Sequence, residues 1–144
     1  MMPWKNNILV LEKDNGRCVV DYIAIQKDAI EKYKIVIVAD SKCWKRMHAH
    51  CDGSRRVCKW MPKPSYVATF ELLHEIGHVE TDKKGMKRCE QESVATLWGI
   101  DRMREYGLPI KRKVVARYKK YIKMTYERGL RRGLQKRVKS ELYI

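Results

Sequence analysis

Several things are missing from this sequence, and each absence narrows its class. No apolar run approaches membrane-spanning length, so no membrane role is expected. The opening residues, MMPWKNNILVLEKD, lack a signal-peptide pattern, which predicts a cytoplasmic protein. The five cysteines, Cys18, Cys43, Cys51, Cys58 and Cys89, are odd in number and irregular in spacing, which argues for reduced thiols. No internal repeat and no low-complexity linker divides the 144 residues, so they read as one domain with one core. Acidic residues are almost absent from the last quarter. Residues 111–144 hold thirteen Lys or Arg against Glu127 and Glu141, whereas the first 110 residues hold nineteen basic and fifteen acidic groups. The formal charge of +15 therefore belongs mainly to a basic C-terminal extension, 111–144.

Apolar residues make up 44% of the chain, enough to argue for a packed globule. Two β-rich runs flank Asp14-Asn15-Gly16, a strong hairpin signal. IQKDAIEKYK places Ile25, Ala29 and Ile30 on one side of a short helix. KIVIVAD is apolar at every position from Ile35 to Ala39, which predicts a strand covered on both faces. The polar stretch from Ser41 to Arg56 reads as a loop or hairpin tip, with RVCKWM returning as a strand. Beyond Pro62 and Pro64 the period becomes helical. Ser65 is a candidate N-cap for YVATFELLHEIGHVET, which is apolar nearly all round and so expected to be buried. A second helix follows in RCEQESVATLWGIDRMREYG and a basic third one after Pro109, with Tyr118, Tyr121, Ile122, Met124 and Tyr126 expected to pack inward.

Within the first of these helices, His74 and His78 are four residues apart and project from one face. That spacing lets two imidazole nitrogens hold one Zn²⁺, while Glu75 reaches a water that the metal has made acidic. The pattern H-E-x-x-H thus carries a mechanism, with Glu75 as the general base. A helix bearing two unpaired histidines inside an apolar segment would instead be costly to bury. Catalytic zinc needs a third protein ligand, and no histidine follows His78. The extended motif would need Gly and His where Thr81 and Lys84 stand, which disfavours metzincins and SprT-like proteases. The candidates are Glu90 and Glu92 on the next helix, which point about 200° apart and cannot both face the metal. From Glu92 the helical offsets give Ala95, Thr96 and Gly99, a stripe of small side chains that allows close approach near Gly77. From Glu90 they give Ser93, Val94 and Leu97, a bulkier stripe, so Glu92 is favoured with Glu90 as the alternative.

LLHEIGHVE followed by CEQESVATLWGI resembles the gluzincin-like metallopeptidases of the ImmA/IrrE type, common in prophages and mobile elements, over roughly residues 33–105. The resemblance implies a cytoplasmic zinc protease, with His74 and His78 as zinc ligands, Glu75 as base and Glu92 or Glu90 as the third ligand. Several such proteins cleave transcriptional repressors. The family usually continues Glu-Ala-x-x-Phe-Ala after the ligand, whereas Glu92 is followed by Ser93-Val94-Ala95-Thr96. Taken together, the expected fold is α+β and zincin-like. A small, mostly antiparallel N-terminal sheet packs on the H-E-x-x-H helix, followed by the Glu-bearing helix and the basic one. The expected activity is hydrolysis of a protein or peptide substrate with one Zn²⁺. The rival is a nucleic-acid-binding or interaction protein, phage-encoded, whose zinc is structural or inactive. Residues 111–144 would then meet nucleic acid or another acidic partner. His48, His50, Cys51 and Cys58, with Cys43 upstream, form a weaker candidate for a second metal site.

Overall fold

In the computed structural model the described residues are 10–12, 18–39, 50–52 and 56–133. They form five short strands and four helices. Strands β1 (Val10–Glu12) and β2 (Cys18–Val20) pair antiparallel, with Val10 opposite Val20. This is the hairpin pairing expected around Asp14-Asn15-Gly16, residues that themselves lie outside the described ones.

Helix α1 (Tyr22–Lys32) starts three residues earlier than its apolar pattern suggests, because Asp21 caps it by accepting a hydrogen bond from Ala24 N at 3.0 Å. Its inner side buries Ile25 and Ala29 completely. Gln26 is buried beside them, its amide donating to Lys63 O (2.8 Å) and Thr69 Oγ1 (2.9 Å). Lys34, at φ 53°, then turns the chain into β3 (Val36–Val38).

The expectation of a mostly antiparallel sheet needs correction. Strand β5 (Val57–Lys59) is central, between β3 and β4 (His50–Asp52). It pairs antiparallel with β4 but parallel with β3, so the three-stranded sheet is mixed. The local β4–β5 connection fixes one side of β5, and β3 fills the other side running in the same direction. The double covering expected of β3 also fails. Val36 is 57% exposed and Val38 43%, while Ile35 is buried and Ile37 half-buried. A three-residue edge strand has helices on one face only, so apolar alternation overstated its burial. Residues 50 and 51, expected in a loop, have strand backbone; His48 and Cys43 lie outside the described residues.

Helix α2 (Tyr66–Thr81) spans the residues its period predicts, and Ser65 caps it by accepting from Ala68 N at 3.1 Å. All eight residues from Glu71 to His78 are buried, as an element apolar on most sides should be. Helix α3 (Arg88–Glu105) lies along α2, and α4 (Arg112–Arg131) packs against α3. Tyr66 ties these ends together: its hydroxyl donates to Pro109 O (2.6 Å) and accepts from Lys111 N (3.0 Å). At the far end of α3, Tyr106 donates to Asp28 on α1 at 2.6 Å. One apolar cluster runs from Ile25 through Trp60, Phe70 and Met103 to Val114. Helix α4 turns only a narrow face inward, through Val114, Ile122 and Thr125. Tyr118 and Tyr126 are half-buried, whereas Tyr121 and Met124 are exposed rather than packed inward. No helix among the described residues is long and apolar enough to cross a membrane.

Candidate metal centre

The close approach of α2 and α3 is set by two glycines. A Cβ on Gly77 would stand 2.7 Å from the Ala95 carbonyl oxygen, and one on Gly99 would stand 3.4 Å from His74 N. Any side chain at Gly77 would therefore push the helices apart. This is the small-residue stripe that begins at Glu92, and it brings that residue, 2% exposed, against His74 and His78. Glu90 is on another side, where its carboxylate accepts from Lys87 N (3.2 Å) at the start of α3. Glu92 joins the histidines; Glu90 does not.

Three atoms converge. His78 Nε2 is 2.7 Å and His74 Nε2 3.0 Å from Glu92 Oε2, and the two nitrogens are 3.2 Å apart. Ligand atoms about 2.1 Å from a tetrahedral ion lie about 3.4 Å from one another, so the triangle is slightly smaller than the one an ion would impose. Among the described residues, His74, His78 and Glu92 are the group that could hold a metal ion.

The opposite end of each ligand is held separately. Asp82 accepts from His78 Nδ1 at 3.0 Å, and Arg88 Nη2 is 3.0 Å from Glu92 Oε1. Thr96 Oγ1 lies 3.1 Å from His74 Nδ1 and donates its hydrogen to Glu92 O at 2.7 Å. A hydroxyl has one proton to give, so toward His74 Thr96 is the acceptor and Nδ1 carries the hydrogen. Neutral His74 then aims a bare Nε2 lone pair at a carboxylate oxygen 3.0 Å away. That contact is repulsive unless a cation or a shared proton sits at the centre.

The electrostatics agree. Burial holds His74 below its usual pKa, against the pull of Glu92, so its second proton is not readily supplied. Burial opposes charge on His78 as well, but the carboxylates of Asp82 and Glu92 outweigh it and raise His78 to about 10. Burial disfavours charge on Glu92, yet its close contacts with the two histidines, His78 above all as the donor, hold it far below the usual carboxylate range. Without metal, the three converging atoms share one proton, that of His78. With metal, they are a set of two histidines and a carboxylate whose outer atoms are already oriented.

Glu75, the expected base, is buried beside the triad, and its charge is felt by His78, Arg88 and Tyr118. The ring of Tyr118 comes from α4 and lies 4.7 Å from that of His74 and 5.0 Å from that of Phe70. Burial, then the carboxylates of Glu71, Glu75 and Glu92, push its hydroxyl well above the usual tyrosine value. Residue pattern alone missed Asp82, Arg88, Thr96 and Tyr118 in these roles. For three of them a signal was there: Asp82 is four residues from His78, and Arg88 and Thr96 are each four from Glu92. Tyr118 had none, because its approach depends on how α4 docks.

No family model, no curated protein and no solved structure matches the chain.

Proposed function

We propose that the chain is a zinc metallopeptidase, an endopeptidase of the cytoplasm that hydrolyses peptide bonds in a protein or peptide substrate. The observation that carries this reading is the bare His74 nitrogen facing Glu92, with Glu75 next to it. Two histidines and a glutamate are a donor set used by catalytic zinc, which leaves one position free. A purely structural site has no use for Glu75 between the histidines. The resemblance to the ImmA/IrrE-type metallopeptidases points the same way.

A zinc ion in that site supplies Lewis acidity toward a peptide carbonyl and toward water. Glu75 takes the proton of the attacking water and returns it to the leaving amine. Tyr118 keeps its proton at neutral pH, so it offers an O–H donor beside His74 for charge developing on the carbonyl oxygen. Strand β4 is an outer strand of its sheet and packs against α2, so an extended substrate could pair along that edge.

The test is metal content and hydrolysis measured together. The purified protein should carry one zinc, lost in Glu92→Ala and kept in Glu90→Ala. Glu75→Gln should keep the metal and lose peptide hydrolysis. Absence of bound metal in every form would overturn the reading, and hydrolysis retained by Glu75→Gln would remove Glu75 from the mechanism.

A second reading rests on α4, whose Lys113, Arg117, Lys120 and Lys123 are all exposed. Such a face suits an acidic partner, nucleic acid included, whether or not the metal site is active.

A further inference from the structure

One buried acid on the metal-bearing helix has no part in the chemistry above. At 100° per residue, Glu71, His74, Glu75 and His78 fall within an arc of about 100° on α2, a single stripe. Glu71 opens that stripe, one turn before Glu75. It is only 6% exposed. Every other member is held: the histidines by Glu92, Thr96 and Asp82, and Glu75 by contacts of its own. Glu71 has no hydrogen bond or ion pair among the described residues. The sequence contains 32 Lys and Arg, yet none in the described residues is placed against it.

A buried carboxylate with no partner among the described residues is a costly thing to keep in a chain so rich in cations. Burial pushes Glu71 up to about 7, with no charge among the described residues contributing. A cation arriving from outside would meet a carboxyl group that no described residue already occupies, and would favour its charged form. Tyr118 responds to Glu71, Glu75 and Glu92 together, which places Glu71 toward the same space as the base and the triad.

We infer that Glu71 is a specificity residue that receives a cationic group of the substrate, one helical turn from the bond to be cut. The chemistry is that of an ammonium or guanidinium. It can come from a Lys or Arg side chain near the scissile bond or from a free N-terminal amine. This inference rests on the peptidase reading, and the experiment separates the two.

Zinc-loaded protein is given N-acetylated hexapeptide mixtures in which one position is fixed as Lys, Arg, citrulline or norleucine. A parallel set has free N-termini and no basic residue. Cutting of the Lys or Arg sets about tenfold or more faster than the citrulline and norleucine sets supports a side-chain cation. The same advantage confined to free N-termini supports the amine. In either case Glu71→Gln, which keeps size and shape, should reduce the preference to less than about twofold. Fluorescence anisotropy of labelled peptides on zinc-loaded Glu75→Gln and Glu71→Gln/Glu75→Gln should show the same loss without turnover. Melting temperature checks that Glu71→Gln folds, and it should melt no lower than the unsubstituted protein. Cutting with no cation preference, or a Glu71→Gln variant slowed equally on every set, overturns the role of Glu71 and leaves the peptidase reading standing. No cutting of any set, with zinc bound, overturns both.

Discussion

The hydroxyl of Thr96 decides more than its size suggests. By giving its hydrogen to Glu92 O it obliges His74 to carry its own hydrogen on Nδ1, and so frees Nε2 for the centre of the triad. His74 and His78 were legible from spacing alone, because four residues on a helix fix direction without knowledge of any partner. Glu92 was legible one step further, because its neighbours Ala95, Thr96 and Gly99 are small. The hydrogen-bond direction at Thr96 was not legible, since it requires two distances across two helices. At this scale the linkage between metal and protons can be predicted. His78 is raised to about 10 in the metal-free protein, so at pH 7 it carries a proton that a metal ion must displace. His74 is held low and Glu92 far below its usual range, and neither adds a proton to be removed. Zinc affinity should therefore rise about tenfold per pH unit between pH 7 and 9 and flatten above about 10. Competition with a chromophoric chelator at several pH values would measure it, and an affinity independent of pH across that window would contradict the assignment of His78. For the metal-free protein the sign is reversed. The stabilisation from the raised His78 is fully present below about 6.5, its unperturbed value, and is lost as pH rises through about 10.

At the scale of elements, the site depends on how near α3 lies to α2. Gly77→Ala puts a Cβ 2.7 Å from the Ala95 carbonyl oxygen, backbone that cannot swing aside. Thermal unfolding should show a loss of about 1–3 kcal/mol, and zinc affinity should fall with it as Glu92 is carried away from the histidines. Gly99→Ala meets His74 backbone at 3.4 Å, a tight but tolerable contact, and should lose less. Equal losses at the two positions would argue against this geometry. The helices were the legible part of the fold, because Ser65, Gly107 and the prolines mark their ends and a 3.6-residue period marks their faces. The sheet was less legible. Ile35 to Ala39 is apolar throughout, but whether a second layer covers an edge strand is settled by the topology around it, not by its own residues. The parallel pairing of β3 with β5 is equally non-local, as its partners are separated by the whole of β4.

Across the whole molecule, charge is divided between an acidic interior site and a basic exterior. The triad, Glu71, Glu75 and Asp82 gather acidic groups on α2 and α3, while α4 presents Lys113, Arg117, Lys120 and Lys123 to solvent. The uneven charge was plain in the sequence; that one tyrosine from the same basic helix reaches His74 was not. An acidic macromolecule bound at α4 should dissociate as salt rises, and a log–log plot of affinity against salt should be steep and linear if several phosphates are contacted. Replacing Lys113, Arg117, Lys120 and Lys123 by Gln should flatten that slope, while leaving the zinc content of the protein unchanged. A slope indifferent to the four substitutions would place the contact elsewhere.

The three ligands and the three residues that orient them, Asp82, Arg88 and Thr96, all fall between positions 74 and 96. The strands and α1 contribute none of them. The contacts that build the centre therefore lie within one helix pair, α2 and α3, joined by residues 82–87. The metal ligands are gathered wherever α2 and α3 meet, with no contribution from the sheet. A metal ion bound there would tie α2 to α3 directly, and its binding free energy would add to the stability of that helix pair.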